Sequence, residues 1–153
     1  MPIQIHIPRK PLEIRTLLLD FTGTLSRDGR LLPGVALRLT TLSRKVRIIV
    51  LTADTFGTAR TALNGLPVEL HRVSTGADKA GFVRRLGAAH AGAIGNGRND
   101  IKMLSLAALG IAVIGPEGAA GDLVRVADVV VGDVLDALDL LAHPKRLIAT
   151  LRA

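Results

Sequence analysis

The stretch LLLDFTGTLS, residues 17–26, places a single carboxylate, Asp20, directly after an apolar run and just before a Gly-Thr turn. A short continuous apolar run is typical of a buried strand in a parallel sheet. The glycine behind it, Gly23, lets the backbone approach a ligand closely. An ionised aspartate at a strand end can serve as a metal ligand, a base or a nucleophile toward phosphorus, but it can equally be a turn residue or a helix cap. The stretch by itself does not decide between these roles.

After residue 15 the chain contains six short apolar runs, each bounded by Gly, Pro or Asp and followed by a helical stretch. The runs are TLLLD, RIIVLT, VELHRV, AGAIG, GIAVIG and DVVVG, and the helices are predicted around 34–44, 55–64, 78–87, 99–108, 116–124 and 133–142. Continuous apolar strands that alternate with helices indicate a parallel sheet built from right-handed βαβ units. The sequence therefore predicts a three-layer, Rossmann-like α/β fold with helices on both faces of the sheet.

The two ends of the chain are predicted to add a hairpin and a helix to this sheet. Apolar and polar residues alternate over 3–14 on either side of a Pro-Arg-Lys-Pro turn, which predicts an N-terminal β-hairpin. Residues 143–153 predict a basic amphipathic helix, which can pack on the sheet or on another copy of the chain, and we expect the sheet. Short connections and the lack of a linker or repeat predict one domain over 1–153, with its core at 15–142.

Composition limits the classes of protein that the chain can belong to. It has 153 residues, no cysteine and a formal charge of +7, but its basic residues are spread along the chain without aromatic residues to stack bases. We therefore do not expect a nucleic-acid partner. The N-terminus lacks the order of a signal peptide, and the longest apolar stretch, 103–115, is too short for a membrane span. The expectation is a cytoplasmic protein with no membrane association.

Residues able to bind phosphate or a metal ion stand at the predicted carboxyl ends of the strands, where ligands bind in open parallel sheets. They are Asp20, Thr22, Thr52, Lys79, Asn96, Asn99 and Asp100. A threonine hydroxyl, nearby backbone N–H groups and a lysine ammonium suit phosphoryl oxygens, and the oxygens of the loop IGNGRND suit Mg²⁺. Each residue has an ordinary alternative as a helix cap or a solvated side chain. Four such elements in order at successive strand ends are hard to ascribe to capping alone.

These motifs carry a family resemblance over nearly the whole chain after residue 15. The chain resembles the haloacid dehalogenase (HAD) superfamily, with DFTGTL as the nucleophile motif, Thr52 and Lys79 as the second and third motifs, and GNGRND as the acidic loop. Within the superfamily it looks most similar to the phosphorylation domain of P-type ATPases and to the small soluble proteins related to that domain.

The resemblance implies a Mg²⁺-dependent phosphohydrolase that forms an aspartyl-phosphate on Asp20. The implied catalytic residues are Asp20, Thr22, Thr52 and Lys79. The implied substrate-binding residues are Thr22, Gly23, Thr52, Ala53, Lys79 and Asn99. The implied metal ligands are Asp20, the backbone carbonyl of Thr22, Asn96 and Asp100. The physiological phosphorylated substrate does not follow from the sequence.

Two positions depart from the pattern of the family. Thr22 stands where family phosphatases usually carry a second aspartate that acts as general acid and base. Loss of such help typically costs roughly 10²–10⁴-fold, so we expect the phosphoenzyme to form more readily than it breaks down. Asn96 stands where the acidic loop usually has an aspartate, which removes a negative charge from the metal site. Asp100 is then expected to become the main metal ligand of the loop.

The spacing of the motifs leaves no room for a cap domain. Only a flap, SRDGRLLPG at 26–34, and a helix fit between the first two strands of the predicted sheet. A capless site is open, which in the family goes with large substrates, poor selectivity, or a partner protein or second copy that covers the site. An alternative to the enzyme is therefore a non-catalytic or regulatory module that binds phosphate, Mg²⁺ or a partner.

Overall fold

The computed structural model describes residues 2–8, 10–54 and 57–152. The strands are β1 (Ile3–Ile5), β2 (Leu12–Ile14), β3 (Thr16–Asp20), β4 (Ser26–Arg27), β5 (Arg30–Leu31), β6 (Arg47–Thr52), β7 (Glu69–Arg72), β8 (Ala91–Gly95), β9 (Leu109–Val113) and β10 (Val129–Val131). The α-helices are α1 (Val35–Leu42), α2 (Thr58–Ala62), α3 (Gly76–Leu86), α4 (Ile101–Leu106), α5 (Gly121–Val126), α6 (Val134–Ala142) and α7 (Pro144–Leu151).

The central sheet has six parallel strands in the order β10-β9-β8-β3-β6-β7. Strand β3 lies between β8 and β6, and its last residue, Asp20, is in register with Leu51. Because all strands run the same way, the ends of β3, β6 and β8 meet at one edge of the sheet. This confirms the predicted parallel sheet and brings Asp20, Thr52 and the loop after Gly95 together.

Helices cover both faces of the sheet, which confirms the three-layer α/β fold. Leu17 contributes to an aliphatic core shared with α1, α6, α7 and the β1–β2 hairpin. Leu18, the next residue, points to the opposite face and contributes to a core shared with α3, α4 and α5. The β1–β2 hairpin confirms the predicted N-terminal hairpin, in which Ile3 pairs with Ile14. Among the described helices, none combines the length and the apolar character needed to cross a membrane.

Two predicted helices have different boundaries in the structure. The helix predicted at 116–124 was wrong at its start, because α5 begins at Gly121 and residues 114–120 form a loop. Gly115 and Gly118 in that loop have φ angles of +58° and +76°, which lie outside helical space. The helix predicted at 55–64 is the shorter α2, and residues 55–56 lie outside the described part of the chain.

The flap predicted at 26–34 is a small hairpin of β4 and β5. Its two turn residues, Asp28 and Gly29, have φ angles of +51° and +81°, as a two-residue type I′ hairpin turn requires. Within the described residues, only this flap separates β3 from α1, and only α2 and β7 separate β6 from α3. The described chain thus contains no cap domain, as its motif spacing predicted.

Candidate functional site

A buried lysine joins two aspartates at the carboxyl edge of the sheet. The Nζ atom of Lys79 donates to Oδ1 of Asp20 at 2.8 Å and to Oδ1 of Asp100 at 2.7 Å. Lys79 is 1% exposed, Asp20 6% and Asp100 0%. Charged groups so far from water are costly unless paired, and with two carboxylates against one ammonium the cluster keeps one negative charge in excess.

The first turn of α3 positions Lys79. Thr75 caps the helix, because its hydroxyl accepts the N–H of Asp78 while the Asp78 carboxylate accepts the N–H of Thr75, each at 3.1 Å. The helix also starts close to the acidic loop, since a Cβ on Gly76 would lie 2.8 Å from the carbonyl oxygen of Asn99. Capping and this close approach direct the Lys79 side chain inward beneath the end of β3.

The environment of the cluster shifts the pKa values of Asp20 and Lys79. Burial, followed by the negative charge of Asp100, raises the pKa of Asp20 to about 6, although Lys79 acts in the opposite direction. Burial by itself would lower the pKa of Lys79, but the charges of Asp20 and Asp100 outweigh it and the pKa is raised. Lys79 therefore stays an ammonium, and Asp20 is ionised at neutral pH.

The Asp100 carboxylate is fully engaged within the protein. Its Oδ1 accepts a hydrogen bond from the Lys79 ammonium. Its Oδ2 accepts hydrogen bonds from the backbone N–H groups of Asn96 and Gly97, each at 3.1 Å. A Cβ on Gly95 would lie 2.5 Å from the Asp100 Cγ atom, so only glycine leaves room for this carboxylate. Asp100 thus shapes the acidic loop and holds Lys79 in place.

A hydroxyl that the sequence analysis did not single out, that of Thr24, lies between two oxygen atoms of the site. Its Oγ1 is 3.2 Å from Oδ2 of Asp20 and 3.2 Å from Oδ1 of Asn96. One hydroxyl hydrogen cannot satisfy both acceptors fully. The signal for this residue was its place in DFTGTL, four residues after Asp20, but its direction depends on the fold of the turn.

Two hard oxygen atoms that converge on one small polar group fit a divalent cation such as Mg²⁺. Among the described residues, no group of three or more His, Cys, Asp or Glu side chains could hold a metal ion. A cation at this site would therefore need amide and carbonyl oxygens in addition to the carboxylate of Asp20. Asn96 and the backbone of the turn that follows Asp20 offer such atoms.

The remaining predicted residues lie outside the hydrogen-bonded cluster. Thr52 is buried at the end of β6, and its hydroxyl accepts the N–H of Asp54 at 3.1 Å. Thr22 and Ala53 are exposed, and both line a cavity of about 360 Å³ that also borders the flap residue Asp28. Asn99 is exposed and makes no hydrogen bond to the buried cluster within the described part of the chain.

Gly23 holds the turn after β3 against the acidic loop. Its φ angle is +75°, and a Cβ at this position would lie 2.7 Å from the side-chain nitrogen of Asn96. A side chain at residue 23 would therefore be strained and would push the two loops apart. The structure thus brings together Asp20, Gly23, Lys79, Asn96 and Asp100. Thr52 is buried at the end of the adjacent strand, Thr22 and Ala53 are exposed beside the cavity, and Asn99 does not join the cluster.

Comparison with known sequences finds two uncharacterized proteins of Methanocaldococcus jannaschii. One is 55% identical over 60 residues, which cover 39% of this chain and 64% of that protein. The other is 46% identical over 39 residues, which cover 26% of this chain and 89% of that protein. The chain belongs to the same family as the second of these, and it spans just under two thirds of the first. No family model matches the chain.

Comparison with solved structures finds hydrolases of the HAD superfamily and a transport ATPase. A 3-deoxy-D-manno-octulosonate 8-phosphate phosphatase from Moraxella catarrhalis, solved with magnesium and phosphate ions, gives a TM-score of 0.72 at 18% identity over 89% of this chain and 90% of that one. A HAD superfamily hydrolase from Legionella pneumophila gives a TM-score of 0.73 at 16% identity over 90% of this chain and 87% of that one. A zinc-transporting PIB-type ATPase gives 0.65 at 23% identity over 78% of this chain and 20% of the ATPase.

Proposed function

We propose that this chain, whose fold is that of the HAD superfamily without a cap, is a Mg²⁺-dependent phosphohydrolase that accepts a phosphoryl group on Asp20. The observation that carries the proposal is the buried contact of Asp20 with Lys79, next to Thr52 at the end of the adjacent strand. The phosphatase fold shared with the Moraxella catarrhalis enzyme supports it. The substrates proposed are phosphate esters or acyl phosphates.

The reaction would proceed in two transfers. In the first, a carboxylate oxygen of Asp20 forms a bond to phosphorus while the substrate's own P–O bond breaks. The electron pair of that bond leaves with the substrate oxygen, which takes a proton from solvent when the leaving group requires one. In the second, a water oxygen bonds to phosphorus, the bond to Asp20 breaks, and the proton of the water passes to solvent. The products are phosphate and a free Asp20 carboxylate.

Lys79 and Thr52 would bind the phosphoryl group during both transfers. The Lys79 ammonium, already 2.8 Å from Asp20, can offset the negative charge that accumulates between the carboxylate and the incoming phosphate. The Thr52 hydroxyl currently accepts a hydrogen bond from Asp54, so its own hydrogen is available to a phosphoryl oxygen. The N–H of Ala53, an exposed residue at the same rim, can add a second donor.

Asp20, the Asn96 side-chain oxygen and the Thr22 carbonyl would hold Mg²⁺. When bound, Mg²⁺ neutralises phosphate charge and orients the group in line with the nucleophile. Asn96 fits this role better than Asp100, because both Asp100 oxygens already accept hydrogen bonds and the residue is fully buried. We therefore assign Asp100 to positioning Lys79, and we propose Asn96, rather than Asp100, as the main metal ligand of the loop.

Slow breakdown of the phosphoenzyme is part of the proposal. Thr22 is exposed at the rim of the site, where a carboxylate could receive or deliver protons, but a threonine hydroxyl does neither usefully at neutral pH. Because residue 22 carries no carboxylate, it cannot take the proton of the attacking water in the second transfer. Acyl phosphates and aryl phosphates should be the better substrates, because their leaving groups need no protonation.

Phosphate release with and without Asp20 tests the proposal. The purified chain is incubated with Mg²⁺ and either an aryl phosphate or an acyl phosphate, and free phosphate is measured beside Asp20→Asn. The wild-type chain should release phosphate in a Mg²⁺-dependent way, and the variant should lose that release. Equal phosphate release from both proteins would contradict the proposal.

A second candidate is a regulatory module that binds phosphate, Mg²⁺ or a partner protein without turnover. The threonine at position 22 and the open rim favour it, since a partner or a second copy of the chain could cover that rim. Beryllium fluoride with Mg²⁺ imitates an aspartyl-phosphate, so it should raise the melting temperature of an enzyme. Failure of this mixture to bind would count against the enzyme, and a rise in melting temperature without any phosphate release would favour the regulatory module.

A further inference from the structure

The loop between β9 and α5, residues 114–120, packs against the turn that follows Asp20, here called the nucleophile turn. It is also hydrogen-bonded to the acidic loop. Gly115 packs so closely that a Cβ there would lie 2.8 Å from the carbonyl oxygen of Gly23. The Asn96 side chain donates to the carbonyl of Gly118 at 3.1 Å, and its backbone carbonyl accepts the N–H of Ala120 at 2.8 Å. The loop therefore has a fixed position over the end of β3.

This loop carries one carboxylate, Glu117, and directs it at the nucleophile turn. An ideal Cβ on Gly23 would lie 2.9 Å from the Glu117 Cδ atom and 3.1 Å from its Oε1 atom. The same point is 2.7 Å from the side-chain nitrogen of Asn96. Glu117 is exposed, and among the residues that the structure describes no hydrogen bond or ion pair engages its carboxylate. An unpaired negative charge thus stands beside Asn96.

The charge balance of the buried cluster indicates why a carboxylate beside Asn96 matters for cation binding. Asp100 is neutralised locally by Lys79 and two backbone N–H groups, and Asn96 is neutral. Asp20 is then the only carboxylate among the three proposed cation ligands, and a divalent cation binds more tightly where more negative charge surrounds it. The Glu117 carboxylate, which lies beside Asn96 at the turn around Gly23, would add negative charge to a cation held there, through the water molecules that Mg²⁺ usually retains.

We propose that Glu117 is part of the divalent-cation site and supplies the negative charge that Asn96 lacks. The inference rests on the proposed function only in assuming that the site uses a divalent cation. Because the carboxylate is partly hydrated, its removal should weaken the affinity for a divalent cation by about five- to twentyfold. The role is one of positioning and charge, with no covalent step.

Direct binding of Mn²⁺, measured by electron paramagnetic resonance without any phosphate present, tests the inference. The variant Glu117→Gln should bind Mn²⁺ more weakly, and Asp136→Asn, which removes an exposed carboxylate from α6, should bind like the wild-type chain. The double variant Asn96→Asp with Glu117→Gln should recover the affinity, because it restores the charge at the neighbouring position. Rescue by the charge-conserving variant Glu117→Asp, which should bind Mn²⁺ more tightly than Glu117→Gln, separates this role of charge from a merely structural one.

Other outcomes would overturn the inference or separate it from the proposed function. Unchanged Mn²⁺ affinity in Glu117→Gln overturns the inference, and so does a wild-type chain that binds no Mn²⁺ at millimolar concentration. If Glu117→Gln instead slows phosphoenzyme breakdown with no change in Mn²⁺ affinity, the residue acts on the water and the cation role is wrong. If Mn²⁺ affinity falls as expected but no Asp20-dependent phosphate release occurs, the phosphohydrolase fails and the cation site stands.

Discussion

The ammonium of Lys79 lies 2.8 Å from Oδ1 of Asp20, in a site from which water is almost excluded. The same ammonium contacts Asp100 at 2.7 Å, so one cation holds two carboxylates close together. This arrangement links the stability of the fold to the chemistry of the site. Removal of Lys79 would leave both carboxylates buried without a compensating charge.

The variant Lys79→Met should therefore lose both stability and phosphoryl transfer. Breaking a buried ion pair by removing one partner typically costs roughly 3–5 kcal/mol in the free energy of unfolding. Urea unfolding measures this cost, with Lys102→Met on α4 as a control that removes an exposed lysine. A Lys79→Met protein as stable as the control would contradict the structural role given to the lysine.

The variant Thr22→Asp should speed the breakdown of the phosphoenzyme. Residue 22 is exposed at the rim of the site, so a carboxylate can be placed there without burial of its charge. General acid–base help of this kind is typically worth roughly 10²-fold or more. Single-turnover measurements should show faster loss of the phosphoenzyme, whereas Thr22→Ser should behave like the wild-type chain. An unchanged breakdown rate would mean that another group already transfers the proton.

The variant Gly23→Ala should destabilise the nucleophile turn. The φ angle of +75° and the 2.7 Å approach of the Asn96 side chain oppose a Cβ there. We expect a loss of about 1–3 kcal/mol in the free energy of unfolding. Gly81→Ala is the matched control, because Gly81 lies within α3 with open space around its Cβ position and should gain about 0.5–1 kcal/mol. Equal effects at the two positions would be inconsistent with this geometry.

The ion pair of Arg38 with Asp139 should make stability depend on pH. It joins α1 to α6, with Arg38 Nε 2.8 Å from an Asp139 oxygen, and this hydrogen bond lowers the pKa of Asp139. A lowered pKa in the folded state adds stability above the pKa of the unfolded chain, about 3.9, and that stability is lost as pH falls through the folded value.

The variant Asp139→Asn should accordingly be less stable than the wild-type chain at pH 7, and the gap should close in acid. The urea unfolding midpoints of both proteins, measured from pH 7 down to strongly acid pH, test this difference in stability. Asp136→Asn is the control on the same helix. A gap that stays constant down to strongly acid pH would show that charge on Asp139 is not its cause.

The sequence predicted the sheet well because apolar runs with flanking Gly and Asp report burial on both faces of a strand. It also predicted that Asp20, Thr52 and the acidic loop would meet, since parallel strands end at one edge. Local signals failed at 116–120, where apolar and small residues suit a helix but two glycines adopt positive φ angles.

The finer contacts of the site depend on tertiary structure, so the local sequence did not predict them. Thr24 lies between Asp20 and Asn96 because the turn after β3 folds back on itself. Glu117 stands near Asn96 because its loop packs on Gly23, more than 90 residues earlier in the sequence. The engagement of both Asp100 oxygens likewise became visible only once the loop, α3 and β8 were placed together.

Rapid acid quench followed by mass spectrometry of the peptide that contains residue 20 tests the central claim most directly. During turnover of an acyl phosphate with Mg²⁺, the wild-type chain should accumulate one phosphoryl group on Asp20, because formation is faster than breakdown. That group should be absent from Asp20→Asn. Phosphate release by the wild-type chain with no phosphoryl group on Asp20 at any time point would contradict the account.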